Sequence, residues 1–383
     1  MLNNLLSNYL FDTIEPIAKW ISIGVVGAMI LSLIFVFFNK KDNFSKAELV
    51  KTILKITVFY AVIMGIVLVT LEMLKKFSTD YLDENWVSKK IIPFVLIPVL
   101  TTLVLTLISM ITLYILSKKK ANCLKKVSAI LFIVCGASFV VTIILIAIFY
   151  SQNILGDGYY TGDFGKLNSP MLYALAFILV GTIVAISLIV GRKNKTPFDS
   201  RTIAMAGVCV SLSFVLSYVK FEAAWIQGGS ITLVSFLPIC LFSYIYGMKK
   251  GLIVGFIYGL LQAIQDPFIV HPAQFMLDYP IAFSMITLSG LLTDLNVLSS
   301  MPRVKFAIGA LLTGTFRYIA HTISGVFAFG AYAADSGASS FLTYSAVYNT
   351  YVFIDIALVI VAGIILFSSK SFSKEIKKLS QDK

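Results

Sequence analysis

Polar and aromatic side chains collect at the ends of apolar runs in the second half of this sequence. Three clusters carry them. The first is Trp225-Ile226-Gln227-Gly228-Gly229-Ser230. The second joins Asp266-Pro267, His271-Pro272 and Leu277-Asp278-Tyr279-Pro280. The third is Arg317, His321, Tyr344, Ser345 and Asn349. Hydrocarbon penalises such groups, so several of them gathered inside a membrane point to binding. The chemistry they offer is recognition. The sequence holds no H-E-x-x-H and no G-x-S-x-G, and its 2 histidines lie far apart. Its 4 cysteines form no C-x-x-C pair, so neither zinc nor a disulfide framework is expected.

The elements that must hold these residues are membrane helices. The chain has 383 residues, of which 58% are hydrophobic and only 13% charged, with a mean hydropathy of +0.90. A soluble domain needs more polar surface than that. A span takes about 20 largely apolar residues. That rule predicts eleven spans, near 17–38, 52–74, 91–116, 127–150, 170–191, 202–219, 231–247, 251–265, 273–292, 304–329 and 343–368. The run from Ile21 to Phe38 has no basic segment before it and no small-residue cleavage site after it, so it reads as a retained helix and not a secretory signal. The expected fold class is an all-α polytopic membrane protein.

A net charge of +12 raises the question of nucleic acid. The basic residues form no helix face or aromatic-basic patch, so no nucleic-acid partner is expected. They sit in short loops, where they set topology. Threading eleven spans puts Lys40, Lys41, Lys46 and Lys51 on one side with Lys118–Lys120, Arg192–Lys195, Lys249–Lys250 and the C-terminal lysines. That side is read as cytoplasmic, which leaves the N-terminus outside and the C-terminus inside. All three polar clusters then fall on the outer side, as a pocket open to the exterior requires.

The polar, basic stretch 192–201, broken by Pro197, divides the chain into an N-terminal membrane region of five helices (1–196) and a six-helix unit (197–383). The halves show no internal repeat. The N-terminal region offers no charge constellation, and its residues assign it no function.

The C-terminal unit resembles a known family. Trp225-Ile-Gln-Gly-Gly-Ser-Ile-Thr-Leu, Leu237-Pro238-Ile239 and Tyr246-Gly247-Met-Lys-Lys-Gly251 look like the opening of a thiamin-specific substrate-binding (S) component of energy-coupling factor (ECF) transporters. Asp266-Pro-Phe-Ile-Val-His-Pro272, Leu277-Asp-Tyr-Pro280, Arg317-Tyr-Ile-Ala-His321 with Ser324-Gly325, and Tyr344-Ser345 with Asn349 continue the likeness. It covers about residues 200–370. It implies capture of thiamin outside the cell, a multi-pass protein of the plasma membrane, and partnership with a transmembrane scaffold protein and two ATPase subunits. No cofactor is implied; thiamin is cargo. The chain itself has no G-x-x-x-x-G-K-S/T phosphate loop.

Thiamin is a cation with a flat thiazolium and an aminopyrimidine. Its site needs aromatic faces, a carboxylate and hydrogen-bonding groups. The resemblance places these at Trp225, Gln227, Asp278, Tyr279, His321, Phe329, Tyr344 and Asn349. The family motif has Glu at Asp278 and Trp at Phe329, so the carboxylate is one methylene shorter and the ring a weaker cation partner. Trp225 also suits an interfacial aromatic belt, and His321 an interhelical hydrogen bond. Arg317 lies near mid-membrane with Asp355 at similar depth on the next helix, so the two are expected to pair beneath the pocket. Docking to the scaffold would use small residues four apart on the first helix of the unit, here Ala206 with Val210 and Gly207 with Ser211. An S component for another vitamin or a thiamin precursor, an intramembrane enzyme and an accessory membrane protein are the alternative readings.

Overall fold

Unbroken apolar runs of Ile, Leu, Val and Phe settle into helices because each backbone polar group is then paired within its own segment. The computed structural model describes residues 91–119, 123–153, 169–194, 198–221, 230–265, 268–269, 271–328, 336–338 and 340–381, with isolated positions in 17–70 and at 333. The predicted spans 17–38 and 52–74 therefore lie almost wholly outside the described residues. Among the described residues, four helices are long and apolar enough to cross a membrane: Ile92–Leu116, Lys126–Phe149, Pro272–Asp294 and Phe341–Ser368. Their outer surfaces carry large apolar side chains. Phe132 is 80% exposed and Ile365 66%, which water would not tolerate and lipid does. The protein is membrane-embedded and multi-pass.

In the N-terminal region, α1 (Ile97–Lys118) and α2 (Leu124–Asn153) pair closely. Hydroxyls join them in the apolar surroundings. Thr102 Oγ1 lies 2.9 Å from Ser138 Oγ and 3.0 Å from Thr142 Oγ1, and Ser109 Oγ lies 3.2 Å from Cys135 Sγ. Small polar residues commonly join membrane helices in this way, since lipid gives two apolar helices no hydrophobic reason to associate. The third described helix, α3 (Ser169–Val190), follows.

The C-terminal unit begins at α4 (Ser200–Leu216), capped by Asp199, whose carboxylate accepts from the Thr202 N–H at 2.9 Å. That bond holds the Asp199 carboxyl below the usual carboxylate range. Then come β1 (Lys220–Phe221) and β2 (Ile231–Thr232), paired antiparallel with Lys220 opposite Thr232. The helices α5 (Leu237–Tyr246), α6 (Met248–Gln265), the broken α7 (Pro272–Asp294), α8 (Pro302–Ala328), α9 (Phe341–Tyr348), α10 (Tyr351–Ser368) and α11 (Lys370–Gln381) complete it.

Two expectations are corrected. The fold is mostly helical and not purely so, because the chain enters α5 through the short hairpin. The predicted span 231–247 yields a helix only from Leu237, since Thr232 and Ser235 spend their hydroxyls on one another and on Asp355, and Pro238 suits a first turn. The predicted span 343–368 is present as the crossing segment Phe341–Ser368, within which α9 and α10 meet at Asn349–Thr350.

The 196/197 division is a boundary in sequence that packing crosses. Val95 in the π turn just before α1, Val99 and Leu103 of α1, and Ile146 and Phe149 of α2 share one cluster with Ile257, Leu260 and Ile264 of α6 and Phe275 of α7. Leu179 and Ile183 of α3 pack with Met248, Met285 and Leu288. Ser187 Oγ and Thr287 Oγ1 meet at 3.1 Å in the same buried seam. At the joint itself, the Asn194 amide donates to the Tyr246 carbonyl (3.1 Å) and to Asp294 Oδ1 (2.9 Å).

Candidate functional site

Two glycines bring α7 against α6. A Cβ at Gly259 would stand 2.6 Å from the Tyr279 carbonyl oxygen, and one at Gly255 would stand 2.5 Å from that of Phe283. No side chain fits there. With them α7 lies backbone to backbone on α6. Pro280 sits inside α7 and has no N–H to give the preceding turn, and the helix widens to a π turn over Leu277–Ile281. Asp278 stands in this widened turn.

The Asp278 carboxylate is held on both oxygens. Oδ1 lies 2.8 Å from His321 Nδ1 of α8, and Oδ2 accepts from Gln274 Nε2 at 2.8 Å. The second Gln274 amide hydrogen goes to the Phe268 carbonyl, also at 2.8 Å. His321 is buried, and its Nε2 has no hydrogen-bond partner among the described residues. The His321 ring centre is 6.5 Å from that of Tyr351. Tyr351 meets Tyr348 edge-on at 6.0 Å, and Tyr348 stacks on Tyr344 at 6.1 Å. A row of aromatic rings thus runs from His321 along α9.

One turn below His321, Arg317 pairs with Asp355 of α10 at 2.8 Å, both side chains buried. The guanidinium also lies on the Phe236 ring, 4.1 Å from its centre, with Phe283 stacked behind at 5.4 Å. The other Asp355 oxygen accepts from the Thr232 N–H (3.1 Å) and hydroxyl (2.8 Å), fixing the end of β2. The expected ion pair is present, with both Asp355 oxygens satisfied, while Arg317 Nε has no hydrogen-bond partner among the described residues.

The structure brings Asp278 and His321 together and sets Tyr344 and Asn349 on the adjoining helix. The Ser345 hydroxyl donates to the Thr322 carbonyl at 2.8 Å, docking α9 beside His321, and the Asn349 amide donates to the Ser345 carbonyl at 2.8 Å. Tyr279 points elsewhere. Its ring packs with Phe275 and Leu260, and its hydroxyl accepts from the Phe268 N–H at 2.9 Å. Adjacent residues on a helix face different ways, so Tyr279 holds the Phe268 loop while Asp278 faces α8. Trp225, Gln227 and Phe329 lie outside the described residues.

His271 caps α7 from outside the span, accepting from the Ala273 N–H on Nδ1 at 3.1 Å, and stacks on Phe327 at 5.1 Å. Burial lowers its pKa to about 4. Of the four docking residues, Ala206 is turned into the core cluster that also contains Leu68, and Val210 packs on that cluster. Ser211 is half-buried, and Gly207 is exposed with open space around it. The Ala206–Val210 pair thus turns towards the core and Gly207 faces outward, because adjacent residues lie about a hundred degrees apart on α4.

Sequence reasoning missed Gln274, Tyr348 and Tyr351, and the Gly255–Gly259 contact. The signals were there. Gln274 precedes Asp278 by four, and Gly251-x-x-x-Gly255-x-x-x-Gly259 is a small-residue face.

Comparison with known proteins agrees with the resemblance. The family profile described as "Thiamine transporter protein (Thia_YuaJ)" matches residues 203–376. The thiamine transporter ThiT of Bacillus subtilis (strain 168) is 36% identical over 143 residues, which cover 35% of this chain and 74% of that protein. ThiT of Lacticaseibacillus paracasei is 30% identical over 138 residues, covering 32% and 68%. A solved structure of ThiT from Listeria monocytogenes aligns over 45% of this chain and 96% of its own at 22% identity, with a TM-score of 0.39. These relatives are named as transporters and not as enzymes. On the profile and the two sequence relatives, the chain belongs to the thiamine transporter family.

Proposed function

We propose that this protein is the substrate-binding S component of an ECF vitamin importer. It takes thiamin from the outer face of the cell membrane and passes it inward with a separate scaffold and ATPase module, its C-terminus being cytoplasmic. Family membership supports thiamin as the ligand. The observation that carries the reading is the buried Asp278–His321 pair with an open hydrogen-bonding nitrogen and tyrosine rings alongside.

Each group then has a part. Asp278 supplies the negative charge for a cationic ligand, and the tyrosines offer ring faces to the thiazolium. Asn349 and Tyr344 border the pyrimidine. Arg317 would oppose a cation if unpaired. At one helix turn, about 5.4 Å, two like charges at an effective dielectric of about 20 repel by about 3 kcal/mol. Pairing with Asp355 removes most of that penalty. No cofactor has a part in this scheme.

Calorimetric titration of the purified protein with thiamin tests the reading. Saturable binding is expected, with Asp278→Ala and His321→Ala each weakening it at least about a hundredfold, as loss of a buried charged partner should. Absence of thiamin binding by folded protein, or undiminished binding by both variants, would overturn it.

A further inference from the structure

We propose that Gln274 is the positioning residue of this site, holding Asp278 as a two-sided acceptor so that His321 presents Nε2 as a buried acceptor selecting a ligand amine. The inference rests on the thiamin reading above and deepens it. Gln274 is almost fully buried, with 1% of its surface exposed. Its Nε2 lies 2.8 Å from two oxygens, Asp278 Oδ2 and the Phe268 carbonyl. Both can only accept at this distance from an amide, so the amide nitrogen, and not its oxygen, must face them.

The consequence passes along the chain of contacts. With Oδ2 receiving the Gln274 N–H, the carboxylate turns Oδ1 to His321 Nδ1 at 2.8 Å. The proton of the neutral imidazole then resides on Nδ1, and Nε2 carries the lone pair. Nε2 is closed off from water and has no partner among the described residues. A ligand must part the side chains around it, and gains most by bringing an N–H. The exocyclic amine of an aminopyrimidine is such a donor. A carbonyl in its place would set oxygen against a lone pair. Gln274 touches neither, and acts through Asp278 and His321.

The test compares thiamin with its analogue bearing a carbonyl in place of the pyrimidine amine, by calorimetry on the full chain. Wild type should favour thiamin by about tenfold to a hundredfold. Gln274→Leu should bring that ratio towards one, because the imidazole is no longer held to one tautomer. A purely structural role would weaken both ligands equally and leave the ratio intact. Gln274→Asn should lose discrimination, and Gln274→Asn with Asp278→Glu should regain it, since the methylene removed from one side chain is returned by the other. If wild type discriminates and these variants discriminate as well as it does, or if wild type binds both compounds alike, the proposal falls while the thiamin reading stands. Wild type that binds neither compound overturns the reading and the proposal together.

Discussion

Arg317 and Asp355 meet at 2.8 Å in the interior of the bundle, one turn beneath His321, and a single carboxylate there serves two elements. Its second oxygen takes both polar hydrogens of Thr232 at the end of β2. Removing either charge strands the other in a dry interior, at about 3–5 kcal/mol. Arg317→Ala and Asp355→Ala should each lower folded yield and melting temperature in detergent. The double variant should recover part of the loss. Strictly additive losses would show that the two do not act as a pair.

Gly259 is one of the two positions where α6 and α7 meet backbone to backbone, with a Cβ 2.6 Å from the Tyr279 carbonyl. Overpacking of this kind costs about 1–3 kcal/mol. Gly259→Ala should therefore lower the melting temperature and weaken ligand binding, because α7 carries Asp278. Gly207→Ala, at a site with nothing within 4 Å, is the control and should change neither. Equal melting temperatures for the two variants would count against the close approach.

His271 links stability to pH. Its pKa falls from the ordinary 6.5 to about 4 through burial, and its Nδ1 must stay unprotonated to cap α7. The unfolded chain takes up this proton near 6.5 and the folded chain only near 4. Stability contributed by the neutral ring is thus full above pH 6.5 and declines as the pH falls towards 4. His271→Asn keeps a capping oxygen without a titrating group. Its melting temperature should drop less than that of wild type between pH 6.5 and 4. Parallel curves would mean that His271 does not titrate as its burial requires.

Local chemistry made part of this protein readable in its residues alone. Long apolar runs dictate helices in hydrocarbon, so the helices near 91–116, 127–150 and 304–329 follow from composition. Charge makes the Arg317–Asp355 pair legible, because two ionised groups at one membrane depth can scarcely stand apart. Motif order brought Asp278, His321, Tyr344 and Asn349 forward as a set. Side-chain direction was not legible in the same way. Tyr279 and Asp278 are neighbours in one motif, and only packing turns one towards Phe275 and the other towards His321. Gln274 is an ordinary residue until the π turn at Pro280 lays its amide against Asp278. Ala206 precedes Val210 by four residues, and only packing turns it into the core. Sequence fixes which groups are present and how deep they lie, since both depend on the chain's own apolar lengths. Which groups face one another depends on contacts between segments distant along the chain, such as Gly255 and Gly259 against α7, and those exist only once the helices have packed.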